Sequence, residues 1–253
     1  MKFGDFDKLA ENYAKYRPTY NFLLIKKIIE KFKKKTTVLE LGAGTGKFTK
    51  ILKKLNYFNE IIAIEPSKKM MEQGINLLGN KKITWKNTKA ENIKMKNDSV
   101  DLICAASSFH WFNNKKCLLK ISKILKNNCY FIIIYNSRKT SLSKDEKRID
   151  YLLKKKYKIK KRISSGRLFT KKKLENDLDK SNFYIVNKES QIDLRNIKKK
   201  NYIGAWKSVN DIQVQLGNKF IKFINDIEKL LSKNRTVKVY YETKVWVLKN
   251  VKS

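Results

Sequence analysis

The sequence predicts a doubly wound α/β sheet with helices on both faces, helical cap segments and a last strand that runs antiparallel. Three observations carry this. An apolar strand, Val38 to Leu41, runs into the glycine cluster Gly42-x-Gly44-x-Gly46 and then straight into a helical pattern. Strand-sized apolar runs at Ile61–Ile64, Val100–Ala106 and Cys129–Tyr135 alternate with amphipathic stretches. Thr236 to Leu248 alternates apolar and polar residues, the pattern of a strand in an antiparallel position.

In chain order, Phe6 to Tyr16 reads as a helix, with Phe6, Leu9, Tyr13 and Tyr16 at helical spacing. Arg17-Pro18-Thr19-Tyr20 ends it, because a residue before proline is pushed out of the helical region. A second helix, Asn21 to Phe32, gathers Leu24, Ile25, Ile28, Ile29 and Phe32 on one face. Lys47 to Lys54 is helical, and Ile83 to Asn87 is the third strand. Val100 to Ala106 is mostly apolar, as a central strand buried on both faces should be. Lys115 to Lys126 is a helix. Ser137 to Lys180 reads as largely helical, broken at Gly166–Thr170; Phe183 to Asn187 is a sixth strand, and Asn201 to Ser232 returns to helix. That last helical stretch is longer than a connection requires and reads as part of a cap over a substrate. The chain divides into N-terminal helices (1–35), a core (36–136), cap segments (137–180 and 195–234) and the last two strands (181–191 and 236–250).

Composition excludes several classes. No apolar run approaches membrane-spanning length, and Met1 to Asp7 has no signal-peptide layout. Three scattered cysteines form no Cys-x-x-Cys pair, which suits a reducing, cytoplasmic setting. His110 is the single histidine, so no multi-histidine metal motif exists and no metal is expected. The net charge of +36 raises a polyanion partner. Lysines outnumber arginines 52 to 7, however, as in AT-rich coding sequences, whereas specific nucleic-acid readers lean on arginine. The field should still favour small anionic substrates.

The glycine cluster carries the chemistry. Glycine lets a ligand lie against the backbone, and the helix that follows aims its N–H groups at the loop. A dinucleotide site wants G-x-G-x-x-G, but position 47 is lysine; the P-loop Gly-Lys-Ser/Thr is also missing. Glu40, just before the loop, suits a ligand with an amine rather than a phosphate. Glu65, at the tip of the second strand and 23 residues after Gly42, can accept hydrogen bonds from both hydroxyls of a ribose. His110 and Trp111 follow the fourth strand, at the carboxyl end where open sheets bind ligands.

Glu40-Leu41-Gly42-x-Gly44-x-Gly46 resembles the first motif of class I S-adenosylmethionine-dependent methyltransferases, and Glu65-Pro66-Ser67-x-x-Met70 resembles the second. Tyr13-x-x-x-Arg17-Pro18-x-Tyr20 and Ser108-Phe109-His110-Trp111-Phe112 look like a type 11 small-molecule group that includes trans-aconitate methyltransferases. The similarity is strong from Val38 to Tyr135 and weaker at both ends, including Tyr202-x-Gly204-x-Trp206 and Tyr240-Tyr241-x-Thr243. It implies a Rossmann-like, seven-stranded sheet and S-adenosylmethionine as cofactor. It implies that the N-terminal segment lids the cofactor, with Tyr13 and Arg17 facing it, that Met70 packs on the adenine, and that Ala90-Glu91 meets its amine. The expected cofactor set is completed by Glu40, Gly42, Ala43, Gly44, Gly46, Glu65, Pro66 and Ser107. Tyr20, Trp111, Trp206 and Tyr241 are expected to line the acceptor pocket, and Arg167 to pair with an acidic acceptor.

The expected function is methyl transfer to a small, anionic metabolite bearing a carboxylate or phosphate. His110 is the candidate base if the acceptor must lose a proton, with an aromatic wall as its competing role. An RNA methyltransferase using the lysine-rich surface is the alternative, although the Asn/Asp-Pro-Pro-Tyr type motif of many nucleobase amine methyltransferases is missing. A binding module without catalysis and a NAD-dependent dehydrogenase fit the motifs less well.

Overall fold

The structure is a computed structural model that describes residues 4–32, 37–112, 114–159, 171–178 and 181–252. Seven strands form one sheet in the order β3-β2-β1-β4-β5-β7-β6. They are β1 (Thr37–Leu41), β2 (Glu60–Ile64), β3 (Ile83–Lys86), β4 (Val100–Ala106), β5 (Leu125–Arg138), β6 (Phe183–Lys198) and β7 (Thr236–Asn250). The first five pair in parallel, and β7 runs antiparallel between β5 and β6. This is a Rossmann-like mixed sheet whose last strand is antiparallel.

The helices are α1 (Ala10–Tyr16), α2 (Phe22–Ile29), α3 (Lys47–Leu55), α4 (Lys68–Leu78), α5 (Asn114–Ile124), α6 (Lys144–Lys155), α7 (Lys171–Leu178), α8 (Lys199–Trp206), α9 (Asn210–Leu216) and α10 (Phe220–Leu230). Asn21 starts α2 by accepting the Leu24 N–H at 3.0 Å, and Ser67 caps α4 through the Met70 N–H at 3.2 Å.

Alternation along the strands feeds two cores. Leu39, Leu41, Ile103 and Phe131 face α5 and α7, whereas Val38, Leu102, Cys104 and Ile132 face α2 and α3. Every residue of β4 is buried, as expected for the central strand of a parallel sheet. A third cluster lies under the cap, where Ile149, Trp206, Phe223 and Ile227 pack on Val237 and Val239 of β7.

The strand ends depart from the sequence reading. β6 does not stop at Asn187 but runs to Lys198, paired with β7 down to Lys198↔Thr236. The helical cap therefore begins at Lys199, not at 195. The outer half of β6 is mostly polar, because an edge strand needs few apolar residues once its partner fixes the register. β5 likewise begins at Leu125, directly after α5, and extends to Arg138. The expected long helix over 201–232 is three helices, interrupted around Ser208 and at Gly217, whose φ is 50°. The break expected at Gly166–Thr170 lies outside the described residues.

Candidate active site

The loop between β1 and α3 lies at the carboxyl edge of the sheet, where neighbouring crossovers diverge. Gly42 has φ 67°, and a Cβ there would come within 2.6 Å of Ser108 Cβ, so only glycine fits. Ser108 holds the approach by donating to the Leu41 carbonyl at 2.6 Å. Next along the loop, the Gly44 N–H donates to Glu65 Oε2 at 2.8 Å, while the Ser67 N–H donates to Oε1 at 2.9 Å. Burial pushes the Glu65 carboxyl up, and these two bonds oppose the shift. Each oxygen keeps a lone pair for a further donor.

Glu40 forms a buried floor. It accepts the Thr49 hydroxyl at 2.6 Å, and burial pushes its carboxyl up to about 8, with the Thr49 bond opposing and Glu65 adding to the rise. A cationic amine above it would restore the carboxylate.

These residues surround a cavity of about 820 Å³. The structure brings Glu40, Gly42, Ala43, Gly44, Glu65 and Pro66 to its walls. Met70, Ala90, Glu91, Ser107 and the lid residue Tyr13 complete the set drawn from the sequence. The Thr45 hydroxyl also lines it, buried and without a hydrogen-bond partner among the described residues. Two expected cofactor residues lie elsewhere. Gly46 is the N-cap of α3, and a Cβ there would meet Leu78 Cδ1 at 2.9 Å; it serves the packing of α3 on α4. Arg17 lines a neighbouring cavity, with its guanidinium 5.0 Å from the Tyr13 ring and its Nη2 donating to the Ser208 carbonyl at 2.9 Å.

The N-terminal segment covers both cavities. Its Phe6 ring meets Trp111 edge-on at 5.5 Å. The Gly4 N–H donates to Asn210 Oδ1 at 3.1 Å, and Asn210 Nδ2 donates to the Asp5 carbonyl at 2.9 Å. Lys47 Nζ donates to the Ala14 carbonyl at 2.5 Å, tying α1 to the glycine loop; burial, with Lys50 and Arg17 nearby, pushes this amine down to about 8.

The neighbouring cavity is smaller, about 160 Å³. It shares Tyr13, Tyr20, Lys47, Ser107 and Trp111 with the first, so the two meet there. Tyr20 and Ser107 stand on the wall common to both cavities. Ser107 itself has φ 55°, a strained conformation for a non-glycine residue at the tip of β4. His110 lines this second cavity, and its Nδ1 is 3.3 Å from the Tyr135 hydroxyl. Tyr241 lines it as expected. Trp206 does not; it is buried in the cap core beneath the Arg138 guanidinium, 4.6 Å from its ring centroid. Arg167 lies outside the described residues.

The sequence reading missed Lys47, Tyr135 and Arg138. The last two lie at the carboxyl end of β5, where the rule that singled out His110 applies equally. Burial works against the Arg138 charge, but Glu146 and the hydroxyls of Tyr241 and Tyr202 more than offset it, so the guanidinium stays charged.

The fold is similar to that of solved methyltransferases. Residues 39–133 match the family model described as a methyltransferase domain. A Dictyostelium discoideum protein named as a methyltransferase is 34% identical over 135 residues, 52% of this chain and 49% of that one. A Saccharomyces cerevisiae protein named as an S-adenosylmethionine-dependent methyltransferase is 33% identical over 129 residues, 48% and 43% of the two chains. The chain thus spans about half the length of the curated relatives it matches. Among solved structures, one described as a type II methyltransferase from Anaeromyxobacter dehalogenans superposes with TM-score 0.66 at 16% identity, covering 92% of this chain and 97% of that one. A Haemonchus contortus phosphoethanolamine N-methyltransferase, solved with S-adenosylhomocysteine, superposes with TM-score 0.57 at 14% identity, covering 100% and 61%. At these identities the structures establish the shared fold.

Proposed function

We propose that the chain is an S-adenosylmethionine-dependent methyltransferase acting on a small, anionic acceptor. One observation carries this reading: the large cavity over the glycine loop adjoins a small one, with Phe6, Tyr13, Tyr20, Lys47, Ser107 and Trp111 lining both. A donor in the first would face an acceptor in the second. The residues present fit the donor. Gly42 and Gly44 leave a bare cradle, Thr45 offers an unused buried hydroxyl, and Glu65 is poised at the tip of β2. Glu65 would hold the ribose, Glu40 the amine, and Met70 with Ala90-Glu91 the adenine.

When bound, S-adenosylmethionine supplies an electrophilic methyl group on a sulfonium. The chain's own task is alignment, which can contribute on the order of 7–11 kcal/mol. Tyr20 and Ser107 fix the mouth between the cavities, Phe6 and Trp111 exclude water, and His110, backed by Tyr135, is placed to take a proton from an acceptor. Arg17, Lys47 and Arg138 outnumber Asp211 among the charged side chains of the second cavity, which supports an anionic acceptor. Tyr13 and Arg17 beside the cavities support the finer likeness to the trans-aconitate group. The RNA reading keeps only the net charge of +36 in its favour. Among the described residues no helix is long and apolar enough to cross a membrane. Cys104, Cys117 and Cys129 are buried and form no disulfide among the described residues, which supports a reducing, cytoplasmic setting.

Calorimetric titration with S-adenosylhomocysteine and with NAD tests the donor. Binding of NAD alone would overturn the reading. A radiolabelled methyl assay against metabolite and RNA pools then tests the acceptor class.

A further inference from the structure

Arg138 ends β5, four residues beyond Ile134, whose carbonyl accepts the Ser107 N–H at 2.7 Å. Four residues of extended strand rise about 13 Å. Arg138 therefore stands well past the mouth between the two cavities, and it lines only the smaller one. Its guanidinium is 4.6 Å from the Trp206 ring centroid and 5.6 Å from that of Tyr202. Nη1 donates to Glu146 Oε1 at 3.0 Å, and Glu146 is anchored in turn by the Tyr202 hydroxyl at 2.8 Å. Among the described residues the guanidinium makes no other hydrogen bond, so Nη2 and Nε remain as unused donors on a side chain that is only 12% exposed. A guanidinium held over two rings, with unused donors on a side chain that lines a cavity, matches a planar carboxylate.

We propose that Arg138 is a carboxylate-binding fork at the far end of the acceptor cavity, and that the carboxylate it holds is not the group that is methylated. The inference rests on the methyltransferase reading. The acceptor then carries a second group, an oxygen or nitrogen nucleophile, near Tyr20, Ser107 and His110. That nucleophile forms a bond to the methyl carbon as the carbon–sulfur bond breaks. The electron pair stays on the departing sulfur, and the nucleophile's proton passes to His110. The product keeps its carboxylate.

The test titrates the full chain, saturated with S-adenosylhomocysteine, with succinate, inorganic phosphate and neutral succinamide. Succinate should bind at least tenfold more tightly than either other probe. Arg138→Lys keeps the charge but loses the fork, and should weaken succinate at least fivefold with S-adenosylhomocysteine affinity unchanged within twofold. Glu146→Gln removes the competing anion and should tighten succinate at least threefold, an effect a purely structural ion pair would not produce. Equal succinate affinity in wild type and a folded Arg138→Lys, or preference for phosphate, would overturn the fork. In the labelled-pool assay the methyl label should stay on an anionic product after mild alkali. Its release as methanol would mark a methyl ester and overturn the proton-bearing nucleophile beside His110. Failure of wild type to bind S-adenosylhomocysteine would instead overturn the donor reading, and the acceptor role of Arg138 with it.

Discussion

The Gly44 N–H and the Glu65 carboxylate are joined by a 2.8 Å hydrogen bond that links the loop after β1 to the tip of β2. The bond sets a bare stretch of backbone and a carboxylate side by side before any ligand arrives. Glu65→Ala should weaken S-adenosylhomocysteine about a hundredfold, or roughly 2.7 kcal/mol, measured by calorimetry. Glu65→Gln should fall between, since its amide can accept from only one side. Affinity within threefold of wild type in the alanine variant would remove Glu65 from the site.

Gly42→Ala combines a left-handed backbone with a Cβ only 2.6 Å from Ser108 Cβ. Strain of this kind costs about 1–3 kcal/mol. Thermal unfolding should therefore shift down by roughly 5 °C, and S-adenosylhomocysteine binding should be lost. An unchanged melting curve would mean that β1 and β4 do not pack as described.

Glu40 gives stability a pH dependence of definite sign. Its folded carboxyl lies at about 8, raised by burial from an ordinary value of 4.5. Between those values the folded state holds a proton that the unfolded state has lost, so stability falls as pH rises through this window. Urea unfolding at pH 5 and pH 8 should show the decline, and Glu40→Gln should flatten it. If Glu40 ionises opposite the donor's amine, S-adenosylhomocysteine binding near pH 7 should release a proton, visible as a dependence of binding heat on buffer.

His110 and Tyr135 form a hydrogen-bonded pair on the wall of the smaller cavity. Proton transfer by a placed base contributes typically about 10²–10⁴-fold. His110→Ala should lower turnover at least a hundredfold while S-adenosylhomocysteine affinity stays within twofold. A loss below tenfold would reduce His110 to an aromatic wall.

Much of the fold was legible because its signals are local. The glycine loop, the fully buried β4 and the alternating β7 each carry their own periodicity. The outer half of β6 carries almost none; its state is decided by pairing with β7, which no window along the chain contains. The site divides in the same way. Glu65, Met70 and Ala90 sit in short motifs at fixed spacing, so their place could be read. Arg138 and Tyr135 belong to no motif and line the smaller cavity only because β5 outruns β4. Trp206 was misplaced since an aromatic residue on a helix looks the same whether it lines a cavity or supports an arginine from behind.

The length of β7 has a consequence for how ligands come and go. Its first half pairs with β6 throughout, from Gln191↔Thr243 to Lys198↔Thr236, and with β5 from Tyr241 on. A strand paired along its whole length has no hinge. Traffic must then pass where the chain is held by a few isolated bonds, at Gly4 to Tyr16. Amide deuterium uptake should slow over Phe6–Tyr16 when S-adenosylhomocysteine is added and stay constant over Val237–Thr243. The opposite pattern would put the doorway in the strand.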